Sequence, residues 1–101
     1  MRIMLACAYG MSTNMLVQKM KEAAKEKGYK IWAVDQAKIK TEIGNFDVLL
    51  LGPQITYMLE DVKKLVGDVP VAVVPQVDYG RLNGANVVAF AERLVKENKA
   101  C

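Results

Sequence analysis

Cys7 stands where an apolar run stops and a stretch of small and polar residues begins: it opens the segment CAYGMSTN, residues 7 to 14. A cysteine thiolate is the most reactive nucleophile among ordinary side chains. Behind it comes Gly10, which tolerates backbone angles that other residues resist. Ser12, Thr13 and Asn14 follow, with short side chains that donate hydrogen bonds and cap helices. From Ser12 onward the apolar residues recur at helical spacing. The segment therefore reads as a strand end, a loop and the N-terminus of a helix. The free N–H groups and positive end of that helix point back into the loop, where they attract an anion. A phosphate-sized group there would lie against the Cys7 sulfur, and the same field favours sulfur as an anion. Cys7 is thus the candidate nucleophile. Ala8, Tyr9, Gly10, Met11, Ser12, Thr13 and Asn14 are the candidate phosphate-binding residues. A competing reading keeps Cys7 as a small core residue that ends a strand.

What is missing narrows the chemistry. The chain has no histidine, so it holds no histidine base, no phosphohistidine and none of the usual zinc sites. No metal is expected. No C-x-x-C pair occurs, which argues against thiol redox work. Tyrosine phosphatases cradle phosphate with a cysteine followed six positions on by arginine; here that position is Thr13. Without a guanidinium there is no bidentate clamp on a transferring phosphoryl group. A hydrolase needs the clamp to clear its phosphocysteine quickly. A carrier that must keep the group until an acceptor arrives does not.

The elements that would position this loop alternate along the chain. Ile3 to Ala6 reads as a short buried strand. Met15, Leu16, Met20, Ala23 and Ala24 mark the inner face of the first helix, with Gly28 as its stop. Residues 29 to 34 form a second strand, and residues 36 to 43 a short helix with Ile39 and Ile43 one turn apart. Phe46 to Leu51 is the clearest strand, followed by Gly52 and Pro53. Ile55, Leu59, Val62, Leu65 and Val66 mark a helix closed by Gly67. Residues 70 to 74 are a fourth strand, and a last helix runs from about Asn83 to Lys96.

This order predicts an α/β fold of three layers, a four-stranded parallel sheet with helices on both faces, in strand order 2-1-3-4. It resembles the low-molecular-weight tyrosine phosphatases. In such sheets ligands bind beyond the carboxyl ends of the strands, where the strand order reverses. Here the reversal falls between the first and third strands, at the loops CAYGMSTN and GPQ. Gln54, Asp78 and Tyr79 are the outer candidates. Gln54 could donate to a phosphate or simply open a helix. Asp78 could be a late-loop acid or a turn residue beside Gly80. Tyr9 and Met11 either pack inward or form a docking surface for partners.

The bulk properties set limits. With 101 residues, about half of them apolar, the chain fits one domain spanning residues 1–101. A net charge of +3, spread among paired lysines and glutamates, gives no basic stripe, so nucleic acid is not an expected partner. The apolar run near the start is shorter than the roughly 7–15 residues of a signal core, and a cytoplasmic monomer is expected. Cys101, the last residue, is expected to be frayed and not paired with Cys7.

Three segments together, IMLACAYGMSTNMLVQKM, DVLLLGPQI and VDYGRLNG, resemble the IIB component of the bacterial sugar phosphotransferase system, in its lactose/cellobiose/chitobiose branch. The likeness covers essentially the whole chain, in the small single-domain form. It implies a phosphocarrier. A phosphohistidine of the IIA partner would pass its phosphoryl group to Cys7, and Cys7 would pass it to a β-linked disaccharide entering through the membrane IIC partner. It implies no cofactor and leaves the sugar open. A phosphatase-like hydrolase and a non-catalytic anion-binding module are the alternatives.

Overall fold

In the computed structural model, residues 1–8 and 10–100 are described. Four strands, β1 (Arg2–Cys7), β2 (Lys30–Asp35), β3 (Val48–Leu51) and β4 (Val71–Val73), form one parallel sheet in the order β2-β1-β3-β4. Ile3 lies beside Ile31 on one side and Val48 on the other, and Leu50 lies beside Ala72. The 2-1-3-4 order expected from the sequence is the one observed.

Alternation along the two central strands feeds two cores. Ile3, Leu5, Val48 and Leu50 face one side, where they meet Leu16, Val17 and Met20 of helix α1 (Gly10–Ala23) and Val87, Val88 and Ala91 of helix α5 (Gly84–Ala100). Met4, Ala6, Leu49 and Leu51 face the other side. There they meet Ile39 of α2 (Ile39–Glu42) and Val62 and Val66 of α3 (Leu59–Val66). Because both faces are covered, the central strands are apolar from Ile3 and from Val48 onward and show no polar alternation there.

Gly84 sets the depth of one layer. A Cβ there would strike the backbone of Lys19 and Met20. Helices α1 and α5 therefore approach backbone to backbone at this point, which only a residue without a side chain permits.

Several sequence expectations shift. The first helix begins at Gly10, two positions before Ser12. Gly28, at φ 68°, caps a separate 3-10 turn (Lys25–Lys27) and does not end α1 itself. Pro53–Met58 is a 3-10 segment that precedes α3, with Ile55 outside helical angles. The sequence predicts a loop between Pro75 and Gly84; the structure has helix α4 (Gln76–Gly80) there. Met15, expected inward, is 54% exposed. Thr13, Leu16, Val17 and Met20 form the buried stripe of α1, and at 100° per residue that stripe turns position 15 to solvent. Ala23, Ile43 and Leu65 are exposed as well; α2 ends at Glu42, so Ile43 is not on its face. Cys101 lies outside the described residues. Among the described residues no helix is long and apolar enough to cross a membrane.

Candidate phosphoryl-transfer site

Cys7 is the last residue of β1 and shares the face of Ile3 and Leu5, so its side chain turns toward α1. There Thr13, one turn into the helix, meets it: Thr13 Oγ1 donates to Cys7 Sγ at 2.9 Å. The same oxygen lies 3.0 Å from the hydroxyl of Tyr79, which α4 brings across the end of the sheet. All three residues are buried, Cys7 at 2% exposure, Thr13 at 1% and Tyr79 at 9%. A threonine hydroxyl has one proton. If that proton goes to sulfur, the bond between the two hydroxyls must be donated by Tyr79.

On the β2 side, Cys7 is in register with Asp35. A cavity of about 170 Å³, lined by Cys7, Asn14, Ala33, Val34 and Asp35, opens there. At roughly 30 Å³ per water molecule it has room for several. The Asp35 carboxylate is engaged at its own chain end, accepting from Ala37 N at 2.9 Å. On the β3 side, Gly52 N donates to Ala6 O at 2.9 Å, which extends the strand pairing past β3. A Cβ on Gly52 would lie 2.6 Å from Gln54 Oε1 and 3.2 Å from Cys7 Cβ. The space around the sulfur is thus closed by three chain segments, and the site lies at the topological switch point. A larger cavity of about 620 Å³ lies at the other end of the sheet, beside Met1, Asp47 and Pro70. No cysteine, serine or threonine is among its lining residues.

Comparisons with known proteins show the family. Residues 2–90 match the family model described as PTS system, Lactose/Cellobiose specific IIB subunit. The chain belongs to this family. The galactose-specific EIIB component of Lactococcus lactis subsp. cremoris is 44% identical over 92% of this chain and 94% of its own length. The oligo-beta-mannoside-specific EIIB component of Bacillus subtilis is 39% identical over 82% of this chain and 84% of its own. A solution structure of a cellobiose-specific phosphotransferase IIB component from Borrelia burgdorferi superposes with a TM-score of 0.79. It has 31% identity, over 97% of this chain and 94% of that one. The lactose-specific IIB domain of Streptococcus pneumoniae shares the fold, with a TM-score of 0.72, 16% identity and coverage of 93% and 96%. As a IIB component the chain is a phosphotransferase of sugar uptake.

Within this IIB fold the sequence-predicted residues fare differently. Cys7, Thr13, Asn14 and Tyr79 come together. Ala8 lies in the bend after β1, half-buried against the second core. Gly10, Met11 and Ser12 form the first turn of α1, whose amides have no carbonyl partner within the helix. Asn14 lies beyond that turn and has its side chain to offer. Tyr9 lies outside the described residues.

Gln54 comes close to Gly52: its Oε1 lies 2.6 Å from where a Cβ on Gly52 would stand. Asp78 is engaged elsewhere: its Oδ1 accepts from Asn86 Nδ2 at 3.0 Å and its carbonyl from Asn83 N at 2.9 Å. It ties α4 to α5. Asp35 and Gly52 were not sequence candidates. Asp35 becomes visible only through the register that sets it beside Cys7, and Gly52 only through the closeness of β3 to β1.

Proposed function

We propose that Cys7 carries the phosphoryl group of this IIB component. The thiolate attacks the phosphorus of a phosphohistidine on a IIA partner, the S–P bond forms, the P–N bond breaks, and the imidazole leaves with the electron pair. A sugar hydroxyl delivered by a membrane IIC partner then takes the phosphorus, the S–P bond breaks, and the hydroxyl proton goes to a base outside this histidine-free chain. Positioning and charge stabilisation supply the catalysis. The first-turn amides of α1, together with Ala8 and Tyr9, bind the phosphoryl oxygens, and Ser12, Thr13 and Asn14 add side-chain donors. The sugar is a β-linked disaccharide. The chain acts as one domain, a cytoplasmic monomer that needs no cofactor or metal.

The observation that carries this reading is the hydrogen bond from Thr13 Oγ1 to Cys7 Sγ at the switch point of the sheet. It directs a donor at the sulfur and suits a sulfur anion better than a spectator thiol. Cys7 is nearly covered, so the transfer also requires the residues around it to give way when the donor docks. The test is intact-mass analysis after incubation with phosphoenolpyruvate and the upstream carrier proteins. One added phosphoryl group, absent from Cys7→Ser, is the expected result. A chain that stays unmodified while its IIA partner is phosphorylated overturns the reading.

A further inference from the structure

Tyr79 is a buried phenol where a phenylalanine would fill the same space. It belongs to the core under α1 and α5, packed among apolar residues. Among the described residues its hydroxyl has one partner, Thr13 Oγ1. A buried hydroxyl proton with no acceptor is costly and rare, so the phenol proton must go to Thr13. That choice propagates. Once Thr13 Oγ1 accepts from Tyr79, its own proton is free for sulfur, at 2.9 Å. The reversed chain, with S–H donating to Thr13 and Thr13 donating to Tyr79, leaves the phenol proton unpaired. The Thr13 proton is therefore directed at sulfur, and the bond it makes there is stronger when the acceptor is an anion.

We propose that Tyr79 is a positioning residue for the phosphoryl-accepting sulfur: by donating to Thr13 it commits the Thr13 proton to Cys7 and orients the sulfur before the donor arrives. Hydrogen bonds in a row polarise one another in a buried setting, so the Thr13 donor is stronger for having Tyr79 behind it. Among the described residues, the titratable group that lines the cavity with Cys7 is Asp35, at the end of β2. Its charge opposes a sulfur anion, and the hydroxyl pair offsets it. The role of the sulfur as acceptor rests on the function proposed above; the direction of the hydrogen-bond chain does not.

The experiment measures alkylation of Cys7 by iodoacetamide in the folded chain, as a function of pH, for the wild type, Tyr79→Phe, Thr13→Val and the double variant. Thermal unfolding of each confirms that it is folded. Tyr79→Phe should slow alkylation at neutral pH by roughly three- to tenfold, the scale of one hydrogen bond to a charged group reached through an intermediary. Its pH profile should move toward alkali. Thr13→Val should slow it by roughly tenfold or more, and Tyr79→Phe should add nothing further in that background, since its effect passes through Thr13. An equal slowing by Tyr79→Phe with and without Thr13, or an unmoved pH profile, overturns the inference. Should Thr13→Val not fold, Thr13→Ser, which keeps the hydroxyl, must leave the Tyr79→Phe effect intact. Phosphorylation followed in parallel separates the two proposals. A shifted alkylation profile in a chain that is never phosphorylated sinks the carrier reading alone. Normal phosphorylation of the wild type with an unshifted Tyr79→Phe profile sinks the role of Tyr79 alone.

Discussion

Gly52 and Cys7 stand so close that a methyl group on Gly52 would press on Cys7: a Cβ there would be 3.2 Å from Cys7 Cβ and 2.6 Å from Gln54 Oε1. Gly52 itself is in extended backbone, at φ −64°, which any residue adopts. The requirement is one of space alone. Gln54 is the loose end of an exposed side chain and can swing away. Cys7 is fixed by its strand and by Thr13. Gly52→Ala should therefore cost about 1–3 kcal/mol, the range for overpacking, and should slow phosphorylation by displacing the sulfur. Urea unfolding and the rate of mass gain measure the two effects. Adding Gln54→Ala should recover some stability but leave the transfer slow, because it relieves only the 2.6 Å contact.

Gly84→Ala tests the other close approach. The clash there is with the backbone of Lys19 and Met20, which has no flexible end to give way. Helix α5 would have to lift from α1, opening the core around Leu16, Met20 and Val87. A loss of about 3 kcal/mol or more is expected, beyond the usual range for single substitutions. A midpoint of urea unfolding close to that of the wild type would contradict the packing described.

The strand order and the place of the site were legible because they follow from rules that act along the chain: alternating elements, right-handed crossovers and a ligand site where the order reverses. Cys7 and the GPQ segment fell together on that basis. Tyr79 was visible only as a residue after the fourth strand, because its partner Thr13 is 66 positions away and nothing in local spacing links them. Helix α4 was hidden for a local reason. Its five residues are too few for a hydrophobic period, and they sit between Pro75 and Gly84, which read as loop punctuation. Asp78 reads as available in the sequence because its partner Asn86 belongs to the next helix.

The two methionines of α1 separate sequence pattern from helix rotation. Both fit a helical spacing, yet Met20 is fully buried and Met15 is 54% exposed. Met20→Ala should cost about 2–5 kcal/mol as a large-to-small core change. Met15→Ala should stay within about 0.5 kcal/mol, as exposed positions do. Equal losses at the two sites, measured by urea unfolding, would mean that α1 is rotated from the orientation that brings Thr13 to Cys7.

Stability should bend at both ends of the pH range, and the signs follow from two clusters far from Cys7. Glu92 is held below its ordinary value of 4.5, first by the hydrogen bond from Lys27 at 2.6 Å and then by that from the Tyr29 hydroxyl at 2.7 Å. Asp47 is held below its ordinary 3.8, chiefly by the side chain of Arg2. A lowered carboxylate binds fewer protons folded than unfolded, so its contribution is complete above the ordinary value and drains as pH falls through the lowered one. Tyr29 is raised above 10.0 and Lys27 above 10.5, each first through its hydrogen bond to Glu92. Their contribution is complete below those values and is lost as pH rises through the raised ones. Glu92→Gln keeps an acceptor for Tyr29 and removes the charge. It should flatten the acid limb below about pH 4.5 and the alkaline limb above about pH 10 together, while leaving alkylation of Cys7 at neutral pH unchanged. Because these groups are partly exposed, the flattening should also shrink as salt is added. Urea midpoints taken across pH at low and high ionic strength measure it, and an acid limb as steep in Glu92→Gln as in the wild type would rule Glu92 out as its source.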